Sequence, residues 1–340
     1  MYRLFNSILY SLTALAVTLA VSSCSGESSY RQLTGYAQGG TYSVKFNTKG
    51  AKTGIGEIRA AVDSILTLID TTLSGYNKGS QLSRYNAGLP VEPNDMFKEV
   101  FSLSRKYHEQ TGGALDVASG PLFDIWGFGF TSGSSPSRET VDSVLAVCGM
   151  DKIDSGMSST LPGIQPRLNF NAIAQGYTSD KIAEYLHSIG VKDMLVDIGE
   201  IYCEGVNQRG EPWTIGIDRP VDGNMTPGAD LDGIWQGDGS GKGIVTSGNY
   251  RKYYEKDGRK YSHTIDPRTG YPVSHNLLSA TIVAPEAVTA DAYATFCMVI
   301  GLDKAREFIN ATADVEGYLI YDDAGTMREW ASSGFKLAGK

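Results

Sequence analysis

Cysteine and histidine are scarce in this 340-residue chain, four of each. Cys148, Cys203 and Cys297 lie among apolar or small neighbours with no Cys-x-x-Cys spacing. That excludes a disulfide framework and a zinc module, and the three read as buried thiols. A basic excess is missing too. The formal charge of -8 at pH 7 argues against a protein that holds nucleic acid through its phosphates. Neither Gly-x-x-x-x-Gly-Lys-Ser/Thr nor Gly-x-Gly-x-x-Gly occurs, so both common nucleotide loops are absent. With 12 Pro, no Pro-rich run and no internal repeat, nothing marks a linker that would split the chain.

Glycine, by contrast, is abundant: 40 residues, or about 12% against roughly 7% in average proteins. No Gly-X-Y period accompanies it, which excludes collagen. Disorder is excluded by 19 Tyr, 11 Phe and 4 Trp, ample material for a core.

The start of the chain is a processing segment. Arg3 precedes an apolar run from Ile8 to Val21, then Ser22-Ser23-Cys24. A basic start, a short apolar stretch and small residues make a secretory signal, and the run is too short for a permanent span. Cys24 after two small residues resembles a bacterial lipobox. Residues 1–23 are expected to be removed and Cys24 to carry lipid. Residues 24–34 are expected to form a flexible tether, and 35–340 one domain, anchored to a membrane and facing the periplasm.

Hydrophobic spacing predicts a strand over Thr41–Phe46 and helices over Ile55–Leu73, Asp95–Gln110, Glu139–Cys148 and Ala172–Ile189. Strand-like runs then crowd together: Met194–Ile198, Ile201–Glu204, Trp213–Ile217, Gly243–Thr246 and Ala280–Val283. Asp-Gly turn signals, Asp257-Gly258 among them, lie between these runs. Helices over Thr289–Gly301 and Asp303–Ala311 and a strand over Gly317–Tyr321 complete the pattern. The run Gly237–Gly243 reads as a hairpin turn. This mixture predicts an α+β or α/β body.

Four constellations carry possible chemistry. His108 and His187 fall on amphipathic helices, where surface or core roles suffice. His263 keeps different company: Tyr261-Ser262-His263-Thr264 runs into Asp266-Pro267-Arg268-Thr269-Gly270, a strong turn. An imidazole beside a rigid corner suits a general base, and a structural histidine fits equally. Asp291 and Thr295, at i and i+4, share a helix face. They read either as oxygen ligands of a hard cation such as Mg²⁺ or as a helix-dipole contact beside a buried threonine. Asn169–Tyr177 passes from strand directly into helix, which turns N–H groups toward an anion. Gly112–Leu122, followed by Trp126-Gly127-Phe128-Gly129, combines small residues with flat aromatic faces.

These pieces occur together and in order with Gly39-Gly40-Thr41-Tyr42, Leu73-Ser74-Gly75-Tyr76, Ser80–Asn86, Val196–Glu200 and Thr246–Tyr250. The set resembles the FAD:protein FMN transferases of the ApbE type over nearly the whole chain. The resemblance implies a single large, two-lobed α+β domain, T-fold-like, with FAD between the lobes, in a secreted lipoprotein. It implies Mg²⁺-dependent transfer of FMN from FAD to a Thr or Ser hydroxyl of an acceptor flavoprotein, such as a membrane redox-complex subunit, with release of AMP. Gln38, Tyr76, Ala114, Leu115, Asp116, Asn169, Gln175, Ser262 and His263 should line the FAD site. The Ala172 carbonyl, Asp291 and Thr295 should hold Mg²⁺, and His263 should be the general base.

Hydrolysis of FAD to FMN and AMP, or flavin binding without catalysis, are the alternatives; His263, Asp291 and Thr295 favour an enzyme. The family pattern has Asp-x-Gly where this chain has Asn169-Phe170-Asn171, and Lys at Gln175. It also has Met at Gln38 and one more Gly before Glu200. Losing an Asp and a Lys together reads as an ionic pair exchanged for an amide pair.

Overall fold

Alternation along Gly40–Asn47 puts Tyr42, Val44 and Phe46 on one buried face, the pattern of a strand with one wet side. The computed structural model describes residues 29–129, 136–224, 226–249, 253–256, 259–262 and 264–339, with backbone alone for 253–256 and 259–262. Its strands are β1 (Tyr30–Ala37), β2 (Gly40–Asn47), β3 (Met194–Asp197), β4 (Ile201–Glu204), β5 (Thr214–Asp218), β6 (Leu231–Gln236) and β7 (Lys242–Gly248). They continue with β8 (Tyr253–Lys256), β9 (Arg259–Ser262), β10 (Ile265–Asp266), β11 (Tyr271–Pro272), β12 (Leu277–Ala284), β13 (Glu316–Asp323) and β14 (Thr326–Ala331). The helices are α1 (Ile55–Leu73), α2 (Gln81–Asn86), α3 (Asp95–Gln110), α4 (Gly120–Trp126), α5 (Arg138–Leu145), α6 (Ala174–Ser188), α7 (Ala287–Ile300) and α8 (Leu302–Ala311).

Eight strands form one sheet in the order β1-β2-β3-β4-β7-β12-β13-β14, and every neighbouring pair is antiparallel. With no parallel pairing in this sheet, the class is α+β. One face is covered by helices. α1 and α6 set Ile58, Val62, Ile182 and Leu186 against Val44, Phe46, Met194 and Val196. Residues of α3, α7 and α8 share a core with Val245, Ala280, Ile282 and Leu319. On the other face Ile244, Val283 and Ile320 meet Trp213, Trp235 and Phe335, from the β5–β6 ribbon and the C-terminal segment.

α7 is apolar around its circumference, as a helix enclosed on all sides must be. Asp291 is its one charged residue. Two glycines set how closely its neighbours approach. A Cβ on Gly176 of α6 would stand 2.4 Å from the Ala287 carbonyl oxygen, and one on Gly243 of β7 would stand 2.3 Å from Ala287 Cα. Asp180, one turn beyond Gly176, closes the joint by accepting from Ala287 N and Val288 N, both at 2.8 Å.

Two expectations fail. Tyr30–Thr34, assigned to the tether, belong to β1 and pair with β2. Leu33 is the one fully buried residue of that edge strand, so its sequence carries little apolar alternation. The run Gly237–Gly243 is no hairpin turn, because it leads from β6 in an outer ribbon into β7, which pairs with β4 and β12. Local turn chemistry does not report which partners the flanking strands take. Cys148, Cys203 and Cys297 are free and buried, as expected. Among the described residues no helix is long and apolar enough to cross a membrane. Residues 1–23, Cys24 and the Asp257-Gly258 turn lie outside the described residues.

Gly243→Ala tests the joint. The new methyl meets backbone atoms, which cannot swing aside, so we expect a loss of about 2–4 kcal/mol in urea unfolding. An unchanged unfolding midpoint would contradict the close approach.

Candidate active site

The α6 N-terminus has no side-chain cap, so its first N–H groups take other partners, Ala174 N donating to Phe170 O at 2.9 Å. Asp291 takes one of them: Gly176 N donates to Oδ2 at 3.1 Å. Thr295, one turn further along α7, stands beside Ser247 of β7, with 3.5 Å between the hydroxyls. Asp291 and Thr295 therefore occupy the α7 face turned toward α6 and β7, and Ala172 lies in the turn that enters α6.

Burial dominates the electrostatics here. Asp291 is 5% exposed, and desolvation, helped by the nearby Asp180 carboxylate, holds its carboxyl well above the usual range despite the Gly176 N–H. Burial likewise pushes Asp180 up to about 7, against its two N–H bonds. A cation among these groups would relieve the cost of their charge. A carboxylate, a hydroxyl and a carbonyl form an all-oxygen set, which suits Mg²⁺ rather than a softer metal.

Two hairpin tips reach the same end of α6. Gln38, with φ of +50° in the β1–β2 turn, donates from Nε2 to Thr178 Oγ1 at 2.6 Å. The Thr178 hydroxyl in turn donates to Ala174 O at 2.6 Å. Gln175 Nε2 donates to Ile198 O, in the β3–β4 turn, at 3.2 Å. Asn169 accepts from Asn171 N at Oδ1, 3.0 Å away. The amide pair expected between Asn169 and Gln175 is thus not formed. One side chain turns back on its own loop while the other reaches a different turn.

Asn169 N also donates to Val117 O at 2.7 Å, which ties the entry to α6 to the Ala114–Asp116 segment. Ala114 and Leu115 are buried. The Asp116 carboxylate points inward, accepting from Ala118 N at 2.7 Å and Met150 N at 3.0 Å. It therefore fixes the shape of this wall. Trp126 Nε1 donates to Gly270 O at 2.8 Å, and Arg268 grips Asp266 with two bonds, at 2.9 and 2.8 Å. These bonds anchor the Thr264–Gly270 corner of the histidine motif. His263 itself lies outside the described residues, and Ser262 is the β9 residue opposite Tyr253. Tyr76 is 68% exposed on a loop where Ser74 Oγ accepts from Tyr76 N and Asn77 N, so its ring offers a flat face to a ligand.

Sequence reasoning missed Thr178, Asp180 and Ser247. Asp180 follows Gly176 by four residues, which is a helical signal for a shared face. Ser247 lay inside the Thr246–Tyr250 motif without a role.

The raised carboxyl of Asp291 predicts a measurable sign. Its ionisation costs the metal-free fold stability as pH rises from about 4 through the higher native value. Without divalent ions, Asp291→Asn should melt above the parent at pH 8 and near it at pH 4. Added Mg²⁺ should raise the melting temperature of the parent alone. A variant that Mg²⁺ stabilises as much as the parent would contradict the assignment.

The ApbE family model matches residues 38–319. The FAD:protein FMN transferase of Haemophilus influenzae is 33% identical over 346 residues, covering 97% of this chain and 98% of the relative. That of Escherichia coli K12 is 33% identical over 291 residues, covering 82% and 81%. The flavin transferase ApbE from Vibrio cholerae has a TM-score of 0.77 at 30% identity, covering 89% of this chain and 97% of that structure. The apo form of the Pseudomonas stutzeri flavinyl transferase ApbE gives 0.77 and 30%, with 89% and 95% covered. By fold and by sequence, the chain belongs to the ApbE family.

Proposed function

We propose that this chain is an FAD:protein FMN transferase that works with Mg²⁺, acting at the outer side of a membrane to which lipid on Cys24 holds it. The observation that carries the reading is Asp291. It is a lone buried carboxylate on an apolar helix, held by one backbone N–H, with Thr295 one turn away on the same face. The Ala172 carbonyl, Asp291 and Thr295 would hold the ion. When bound, Mg²⁺ supplies neutralisation of charge on the FAD diphosphate.

The chain's own groups supply the rest. The positive end of the α6 dipole favours a phosphate anion, and Tyr76 offers a face for a flat ring of FAD. The acceptor's Thr or Ser oxygen attacks the phosphorus of the FMN half. The bond from that phosphorus to the bridging oxygen breaks, and AMP leaves with that oxygen. His263 takes the hydroxyl proton. The secretory start and Ser22-Ser23-Cys24 support an acceptor outside the cytoplasm.

The test incubates the purified protein with FAD, Mg²⁺ and a candidate acceptor flavoprotein, then weighs the products. The expected result is an acceptor carrying FMN on Thr or Ser, with equimolar AMP. Free FMN with AMP would make the protein a hydrolase, and no product would make it a flavin binder. His263→Ala should lower transfer at least about 100-fold while FAD still binds. Unchanged turnover in that variant would remove His263 from the reaction.

A further inference from the structure

Beneath the Ala114–Asp116 wall lies a group that the proposed reaction does not use. His108 sits in the last turn of α3, and its Cε1 is 3.5 Å from the place a Cβ on Gly113 would occupy. Its Nδ1 is shielded from solvent and 3.3 Å from Asp116 Oδ2, yet makes no aligned hydrogen bond. The contact is an ion pair when the imidazole is protonated. Asp151, in the Met150–Lys152 turn, brings a second carboxylate, and the ligating atoms of all three side chains lie within 4.8 Å of one another.

We propose that His108 is a positioning residue: its positive charge, set between Asp116 and Asp151, holds the Ala114–Asp116 wall in the form that binds FAD. This inference rests on reading that wall as part of the flavin site. The Asp116 side chain is 5% exposed and ties the wall to two backbone N–H groups, so its charge has little water to stabilise it. An imidazolium at 3.3 Å supplies that compensation. A neutral imidazole leaves two carboxylates facing each other, which loosens the wall and adds negative potential near an anionic dinucleotide.

The groups facing His108 come from several elements. They are Asp116 from the wall, Asp151 from the neighbouring turn, and Arg105 from α3 itself. Arg268 reaches Gly113 from the β10–β11 turn but is committed to Asp266, and the Lys152 amine donates to Cys148 O. The close Asp116 contact raises the His108 imidazole above its ordinary range, against the pull of burial. Charge at His108 is therefore present at lower pH and lost as pH rises through that raised value.

FAD affinity, read by flavin fluorescence on the intact protein with Mg²⁺ from about pH 6 to pH 9, tests the idea. In the parent, Kd should weaken roughly three- to tenfold across the range. His108→Gln should be flat at the weak level. His108→Lys, which keeps the charge, should stay tight to the top of the range. Asp151→Asn, a change on an exposed turn, should move the parent's midpoint to lower pH. In turnover the effect should fall on KM for FAD and not on kcat. A parental pH profile in His108→Gln, with FAD bound, overturns this inference alone. No FAD binding by the parent at any pH overturns the flavin reading and this inference with it.

Discussion

How closely three backbones approach one another at Ala287 governs this molecule. α6 arrives through Gly176, β7 through Gly243, and neither approach leaves room for a methyl group. Asp180 then clamps the first turn of α7 through two N–H bonds. The consequence is geometric. Asp291 comes to rest under the Gly176 N–H, Thr295 comes to rest beside Ser247, and the entry turn of α6 lies at the same end. Part of the glycine excess thus has a concrete use, since small residues let helices and sheet close around a site.

That closeness has an electrostatic cost. Asp180 and Asp291 are both buried, and burial raises both carboxyl groups. An apolar residue at position 291 would pack on α7 without this cost, which supports the proposal of a positive partner there. The same arrangement recurs on a smaller scale beneath the Ala114–Asp116 wall. There Asp116 is turned inward and His108 stands beside it. An acidic protein that binds an anionic dinucleotide must place positive charge sparingly, and the proposed cation at Asp291 and the proposed charge on His108 would do so.

Much of this was legible in the sequence, for identifiable reasons. α1 and α3 could be read end to end because their apolar stripes are regular, and α3 starts at an Asn94 cap that accepts from Phe97 N. Asp291 and Thr295 could be paired because helical spacing is local. β1 escaped because an edge strand with one buried residue shows little alternation. The Gly237–Gly243 run has the local chemistry of a hairpin turn, whereas the partners of β6 and β7 lie elsewhere in the chain. Contacts such as Gln38 with Thr178 or His108 with Asp116 join elements that only folding brings together, and the bland reading of His108 on an amphipathic helix followed from that. The departures at Asn169 and Gln175 were visible, but their separate partners were not.

The central claim is that the joint at Ala287 builds a cation site around Asp291. A crystal of the protein grown with FAD and Mn²⁺, the ion located by its anomalous scattering, addresses this claim most directly. The account predicts one strong peak bonded to Asp291, Thr295 and the Ala172 carbonyl, with the FAD diphosphate completing its shell. A peak bound elsewhere on the diphosphate, with Asp291 still held only by Gly176 N–H, would contradict it.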